Sequence, residues 1–305
     1  MRLEYQNRIA ATDEIIYRNF EQLLTFRIGD VRDYQSVAGV MREADIVVNA
    51  AAMKQVPTCE YFPFEAVRTN IEGAENIVRA IQTQNLPVET VVGISTDKAC
   101  KPVNVMGMTK SIQERVFIQG NMRCRNTRFV CVRYGNVLAS RGSVIPLFHE
   151  QIRAGCPVTL TTRDMTRFLL GLDDAVDTVF EAIRNAAPGE TFVPKAPAAV
   201  IENVAKALIG DRGLNIVVTG IRPGEKIHEI IISEEEAYRT VKRGRWYAIR
   251  PMLPELTTGK PEPAALSGEY SSCSSVLSYE ETVQMLKARK LMIEDIDIKT
   301  GDTLQ

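Results

Sequence analysis

The sequence predicts an α/β protein, a doubly wound parallel sheet with a smaller C-terminal α/β lobe. Three observations predict it. Short apolar runs such as VVGIS alternate with helix-length segments through the first 140 residues. Those runs are apolar almost throughout, as in strands covered on both faces. Each run also ends in polar residues, where open α/β sheets bind their ligands.

The elements follow in order. Residues 12–23 read as a helix of mixed polarity, and Leu24–Ile28 as a short strand stopped by Gly29. A short amphipathic helix covers 34–43, followed by the apolar strand ADIVVNAAA over 44–52. Across 64–85, Val67, Ile71, Ile77, Val78 and Ile81 recur at near-helical spacing. Next come a strand at 89–95, a helix over 105–120 and a strand at 128–136.

After residue 140 the rhythm changes. RGSVIPLFHEQIRAG reads as a helix with Pro146 near its start, and PVTLTT as a strand. LDDAVDTVFEAIRNA is a helix ended by Pro188 and Gly189. ETFVPKA, VIENVAKALIG, LNIVVTG and RPGEKIHEIII are short alternating elements. Ser278 and Glu281 form a capping box for the helix YEETVQMLKARK. The expected organisation is a first domain over 1–140, a second lobe over 141–256 interleaved with it, and a linker and C-terminal helix over 257–305, with TTGKPEPAALSG separating the tail from the body.

Composition excludes several function classes. The 305 residues carry 37 basic and 38 acidic side chains, a net charge of −1 that steers nothing toward nucleic acid. The six cysteines (Cys59, Cys100, Cys124, Cys131, Cys156, Cys273) form no CxxC pair, and only His149 and His228 accompany them. No metal site is expected, since zinc needs close Cys/His pairs; idle thiols in a reducing cytosol are. The opening MRLEYQNRIA lacks the apolar core of a signal peptide, and ADIVVNAAAM is about half a membrane span. A cytoplasmic, soluble protein without a membrane segment is expected.

Four strand ends carry suggestive chemistry: Asp30 in GDVRD, Asn49–Ala52, Ser95–Lys98 and Arg133–Asn136. Together they predict a ligand crevice. The stretch KPVNVMGMTKS after the third places Met106 and Lys110 four apart, on one side of a helix. A thioether moves no proton, so a methionine at that place is a puzzle for an active site.

The ordered set GDVRD, NAAA, Thr69-Asn70, STDKA and Lys110 resembles the extended short-chain dehydrogenase/reductase family, whose first domain is Rossmann-like. NAAAMKQVPTCE, STDKACKPVNVMGMTK, VRYGNVLASRGSVIPLF, DMTRF and IRPGEKIHE narrow it further. They resemble the inverting UDP-N-acetylglucosamine 4,6-dehydratases of polysaccharide, capsule and glycan synthesis, over about residues 26 to 290. The resemblance implies an NAD(P)-dependent lyase with a tightly bound NADP or NAD, NADP the favoured one. Its substrate would be UDP-N-acetylglucosamine or a related UDP-sugar, and a homo-oligomer is expected.

Residue by residue, the resemblance implies that Asp30 and Val31 meet the adenine, while Ala50, Ala51 and Ala52 let the cofactor approach the backbone. Asn70 and Lys110 complete the cofactor side, Lys110 keeping positive charge near the sugar C4 oxygen. Lys54, Asn136, Arg141, Ser143 and Arg167 face sugar or phosphate, Arg222 grips the pyrophosphate and Glu225 a ribose hydroxyl. A guanidinium fork suits paired phosphate oxygens, and a carboxylate accepts from a diol. Asp97 and Lys98 are the implied elimination and reprotonation pair, adjacent on a strand end and splayed to opposite sides. Thr96, Asp97, Lys98 or water takes the C4 hydroxyl proton, because Met106 stands where many relatives have tyrosine and a subgroup has methionine.

One departure is larger. None of the 19 glycines are spaced as GxG, the turn that seats a dinucleotide pyrophosphate at a helix N-terminus. The expectation is a Rossmann-like domain lacking its first strand and glycine-rich turn, about forty residues of a βαβ unit. Two alternatives therefore stand beside the dehydratase. One is a catalytically inactive truncated homologue that binds UDP-sugar or a partner subunit. The other is a UDP-sugar 4-epimerase, against which STDKA argues.

Overall fold

Six strands form the central sheet of the computed structural model, which describes residues 23–138, 140, 143–257 and 262–295. The helix expected over 12–23 falls almost wholly outside these residues. The first half contains α1 (Tyr34–Val40), β1 (Ile46–Asn49), α2 (Val56–Tyr61), α3 (Pro63–Ala66) and a π-helical stretch, Val67–Glu72. It continues through α4 (Gly73–Gln84), β2 (Thr90–Thr96), α5 (Val105–Arg123) and β3 (Arg128–Tyr134). Then come β4 (Asn136–Val137), α6 (Val144–Arg153), β5 (Val158–Leu160), β6 (Thr166–Leu170) and α7 (Leu172–Asn185). They are followed by β7 (Thr191–Pro194), β8 (Ala198–Val200), α8 (Ile201–Ile209), β9 (Ile216–Val218) and β10 (Ile230–Ile232). The last are α9 (Glu234–Ala237), β11 (Thr240–Arg243), β12 (Trp246–Ile249), β13 (Tyr270–Ser271) and α10 (Tyr279–Ala288).

The strand order is β1-β2-β3-β7-β12-β11, with β1, β2, β3 and β7 parallel and β12 antiparallel to both of its neighbours, β7 and β11. Side chains alternate across it. Val91, Phe129 and Cys131 pack under α1, α4 and Phe117 of α5. Val92, Val130, Val132 and Phe192 face the other way, with Ala182 of α7 and Ala186 just beyond it. This two-sided burial is why the strands read as unbroken apolar runs. A second core joins Ile145 and Phe148 of α6, Leu160, Leu169, and Val204 and Leu208 of α8.

Four expectations change. The helix over 64–85 is broken by its π-helical stretch. Leu24–Ile28 forms no strand; Leu24 and Ile28 are exposed. An extended segment needs a ladder partner, and among the described residues none pairs with the outer edge of β1, where Ile46 and Val48 are also exposed. The strand at 128–136 splits at Gly135, and β4 leaves to pair with β6. A Cβ at Gly135 would lie 2.8 Å from the Phe168 Cβ, so the chain crosses there only as glycine. Finally, the tail is part of the body: β13 pairs with β10, and Leu286 and Leu291 are buried in the second core. The capping box at Ser278 and Glu281 starts α10 as the sequence predicts.

Candidate active site

β2 runs extended to Thr96, whose hydroxyl caps a 3-10 turn, Asp97–Ala99. That turn decides the site. On a continuing strand Asp97 and Lys98 would splay apart, as expected; in the turn they converge, with the Lys98 Nζ 3.1 Å from the Asp97 Oδ1. Thr96 Oγ1 lies 2.9 Å from the same oxygen. The turn packs hard against α5: a Cβ at Gly107 would lie 2.2 Å from the Lys98 carbonyl oxygen, so only glycine fits.

A residue that the sequence reading passed over completes the cluster. Glu229, the last letter of IRPGEKIHE, is 2% exposed, and its Oε1 is 3.1 Å from the Lys98 Nζ. Burial pulls the Lys98 pKa down, but the carboxylates of Asp97 and Glu229 outweigh burial and the nearby Arg167, and the net direction is up. Asp97 Oδ2 and Glu229 Oε2 are buried with no partner among the described residues. Asn49 Nδ2, Asn136 Oδ1 and Ser143 Oγ share that condition. Buried polar groups are normally paired, so this set marks surface built to receive a polar ligand.

The RPGEK segment is tied to this turn. Gly224, at φ +80°, gives the RPGEK segment its bend, and its carbonyl accepts from Asn104 Nδ2 at 2.8 Å. Asn104 also caps α5, its Oδ1 accepting from the Gly107 amide at 2.8 Å. Lys226 Nζ donates to the Cys100 carbonyl at 2.8 Å. Arg167, expected to face sugar or phosphate, instead donates to the carbonyls of Thr166, Lys226 and Ile227 at 2.8–3.0 Å. It clamps the RPGEK segment. Arg222 is exposed, and Glu225 accepts from Thr161 Oγ1 at 3.3 Å. Lys54 is exposed, and Arg141 lies outside the described residues.

On the cofactor side, Lys110 is 5% exposed, its Nζ donating to the Ile94 carbonyl and to Gln113 Oε1 at 2.7 Å. Burial brings its pKa down to about 8. Met106 is packed with Cys59 and Ala66 in an apolar cluster. Asn70 is buried and holds the loop after β1, bonding both Met53 backbone groups and Thr109 Oγ1. Ala50, Ala51 and Ala52 are exposed just beyond β1. Asp30 is exposed and ion-paired: Arg32 bonds both its carboxylate oxygens and brings its pKa down to about 2. Val31 packs against Gly73 and the first core.

The residues around β1 and β2 therefore fit the nicotinamide end of a dinucleotide. They offer an unpaired Asn49 amide, small residues that admit a ring, and a buried lysine. Asp30 stands exposed beyond them, its carboxylate paired with Arg32. Among the described residues no group of His, Cys, Asp and Glu could hold a metal, and no helix is long and apolar enough to cross a membrane.

Beside the site lies a second buried cation. Arg133 of β3 is 2% exposed and donates to Glu114 of α5, Glu236 of α9 and the Ile231 carbonyl. Ser95 Oγ also donates to Glu114.

A family model described as polysaccharide biosynthesis protein matches residues 4–251. A Rickettsia bellii (strain OSU 85-389) protein named UDP-glucose 4-epimerase is 43% identical over 273 residues, covering 86% of this chain and 80% of its own. The structure of Pen from Bacillus thuringiensis superposes with a TM-score of 0.82 at 34% identity, covering 91% of this chain and 86% of that one. DesIV, a dTDP-glucose 4,6-dehydratase from Streptomyces venezuelae with NAD bound, gives a TM-score of 0.59 at 18% identity, over 65% of this chain and 68% of its own, and so shares the fold.

Proposed function

The chain belongs to the polysaccharide biosynthesis protein family, and from that premise we propose that it is a nucleotide-sugar 4,6-dehydratase acting on UDP-N-acetylglucosamine or a close UDP-sugar, with inversion at C5. The observation that carries this reading is the Asp97–Lys98–Glu229 cluster, a cation between two buried carboxylates that keep unpaired oxygens. Loss of water across C5 and C6 needs a base for the C5 proton and, later, a donor to C5. Epimerisation at C4 needs neither.

A bound NADP or NAD supplies oxidation at C4 and the matching reduction at C6. The chain's own residues do the rest. Lys110 holds positive charge near the C4 oxygen; Thr96, Asp97, Lys98 or water takes the C4 hydroxyl proton. Asn136 and Ser143, each with an unpaired buried oxygen, face the sugar. Lys54, Arg141 and Arg222 suit the diphosphate and Glu225 the ribose. Arg167 orders the segment that carries Arg222 and Glu225.

A second reading, UDP-sugar 4-epimerase, is favoured by the name that the 43% identical Rickettsia protein carries. Incubation with UDP-N-acetylglucosamine or UDP-glucose and NADP or NAD in deuterated water separates the two by NMR. The dehydratase gives a 6-deoxy-4-keto sugar with solvent deuterium at C5. The epimerase gives the C4 epimer without it. No product and no dinucleotide binding would leave the inactive homologue.

A further inference from the structure

Glu229 comes from the second lobe, yet its carboxylate ends beside a lysine of the first. Its backbone is fixed from both sides: the amide donates to Ser272 Oγ at 2.9 Å, and the carbonyl accepts from the Ser272 amide at 2.8 Å. Ser271 Oγ also donates to that carbonyl. The side chain is thus held in place, with Arg167 Nε 3.8 Å from the oxygen that faces Lys98. The charged groups facing the Lys98 ammonium are Asp97, Glu229 and Arg167.

We propose that Glu229 is a positioning residue that keeps Lys98 an ammonium in the resting site, making Lys98 the proton donor and Asp97 the acceptor of the dehydration. The inference rests on the function proposed above for its catalytic part only. One cation between two carboxylates is nearly balanced once Arg167 is counted. Removing the proton from Nζ would leave two buried carboxylates facing a neutral amine, which their burial disfavours. The geometry also explains why the STDKA and IRPGEKIHE segments belong together: the second sets the proton state of the first.

The proton ledger closes. Asp97 takes the C5 proton, the C5–H pair becomes the C5–C6 double bond, and the C6–O bond breaks. The proton on Asp97 leaves with the hydroxyl as water, restoring the carboxylate. After C6 is reduced, Nζ gives its proton to C5. The proton that the C4 hydroxyl gives up in the opening oxidation goes to water, and Nζ takes one back from water once C5 has been protonated.

Glu229→Gln keeps size and hydrogen bonding and removes the charge. Lys98 is followed by NMR of enzyme carrying 13Cε-lysine, with Lys98→Ala assigning its signal. The titration of Lys98 is expected to move down by about one pH unit or more in Glu229→Gln. In Glu229→Asp, which keeps the charge and draws it back by one methylene, it moves the same way by less. Turnover falls with KM little changed, and Glu229→Asp restores part of it. A Lys98 titration unmoved in both variants overturns the proposal, whether or not the enzyme dehydrates sugar. A moved titration without dehydration keeps Glu229's role and sinks the functional reading instead.

Discussion

The Arg133 and Lys98 clusters are made alike, one cation between two carboxylates, and end in opposite states. All five N–H groups of Arg133 have acceptors, and Glu114 and Glu236 are held in turn. Around Lys98 two carboxylate oxygens are buried and unpaired, and the lysine side chain keeps 24% of its exposure. A saturated network has nothing left to offer a ligand, so it serves the scaffold. An unsaturated one carries a desolvation cost that a bound polar group relieves, and it lies at a strand end, where open α/β sheets bind their ligands.

The comparison breaks most visibly at Arg133. Arg133→Ala strands two buried carboxylates and is expected to cost about 3–5 kcal/mol of stability in urea unfolding. Burial raises the Glu236 pKa, but Arg133 outweighs it and holds the value at about 2, against an ordinary 4.5. The stability this carboxylate contributes is therefore present above its unfolded value and lost as pH falls toward 2. In Arg133→Ala that acid-side loss disappears. If Arg133→Ala were as stable as the wild type, the scaffold reading of this cluster would fail.

Lys98→Ala should act first on turnover, lowering it by about 10²–10⁴-fold while the far-UV spectrum stays native. Wild-type rates in that variant would remove Lys98 from the chemistry.

A milder test is pH. Lys110 must be charged to steady a developing negative C4 oxygen, and burial brings its pKa down to about 8. Activity should therefore decline as pH rises through about 8, an alkaline limb that Lys110→Arg flattens. Lys98 titrates in the opposite direction from its usual value and does not set this limb. For stability the sign differs: the unfolded chain holds the Lys110 proton to higher pH, so this group's contribution rises with pH above 8. A profile with no alkaline limb near 8 would mean that Lys110 works uncharged or is not needed.

How far the sequence reached follows from the range of each interaction. The strands of the central sheet were legible because burial on both faces leaves unbroken apolar runs, and α10 because its capping box is local. Leu24–Ile28 was misread because an apolar pattern says nothing about whether a ladder partner is at hand. Asp97 and Lys98 were legible as residues but not as a pair, since one turn of 3-10 helix reverses their splay. Arg167 offers the same fork to a phosphate and to three carbonyls, and only the fold chooses. Glu229 was legible only as part of a motif, because its partner Lys98 lies far away along the chain. A buried glutamate closing a motif that already carries a basic residue is the signal that could have found it.

The smallest effect is expected at Met106, the residue that looked most like a broken active site. It is 5% exposed and shares its cluster with Cys59 and Ala66, both fully buried, and with partly buried Met53, Val56 and Val105. Met106→Leu, a swap of similar volume, should cost less than about 1.5 kcal/mol and leave turnover unchanged. Met106→Tyr adds bulk and a hydroxyl to that cluster and should cost about 1–3 kcal/mol with no gain in rate. Unfolding midpoints and initial rates for both variants check this. A faster enzyme with tyrosine would mean that position 106 reaches the sugar, and that the proton work does not rest with the cluster around Lys98 alone.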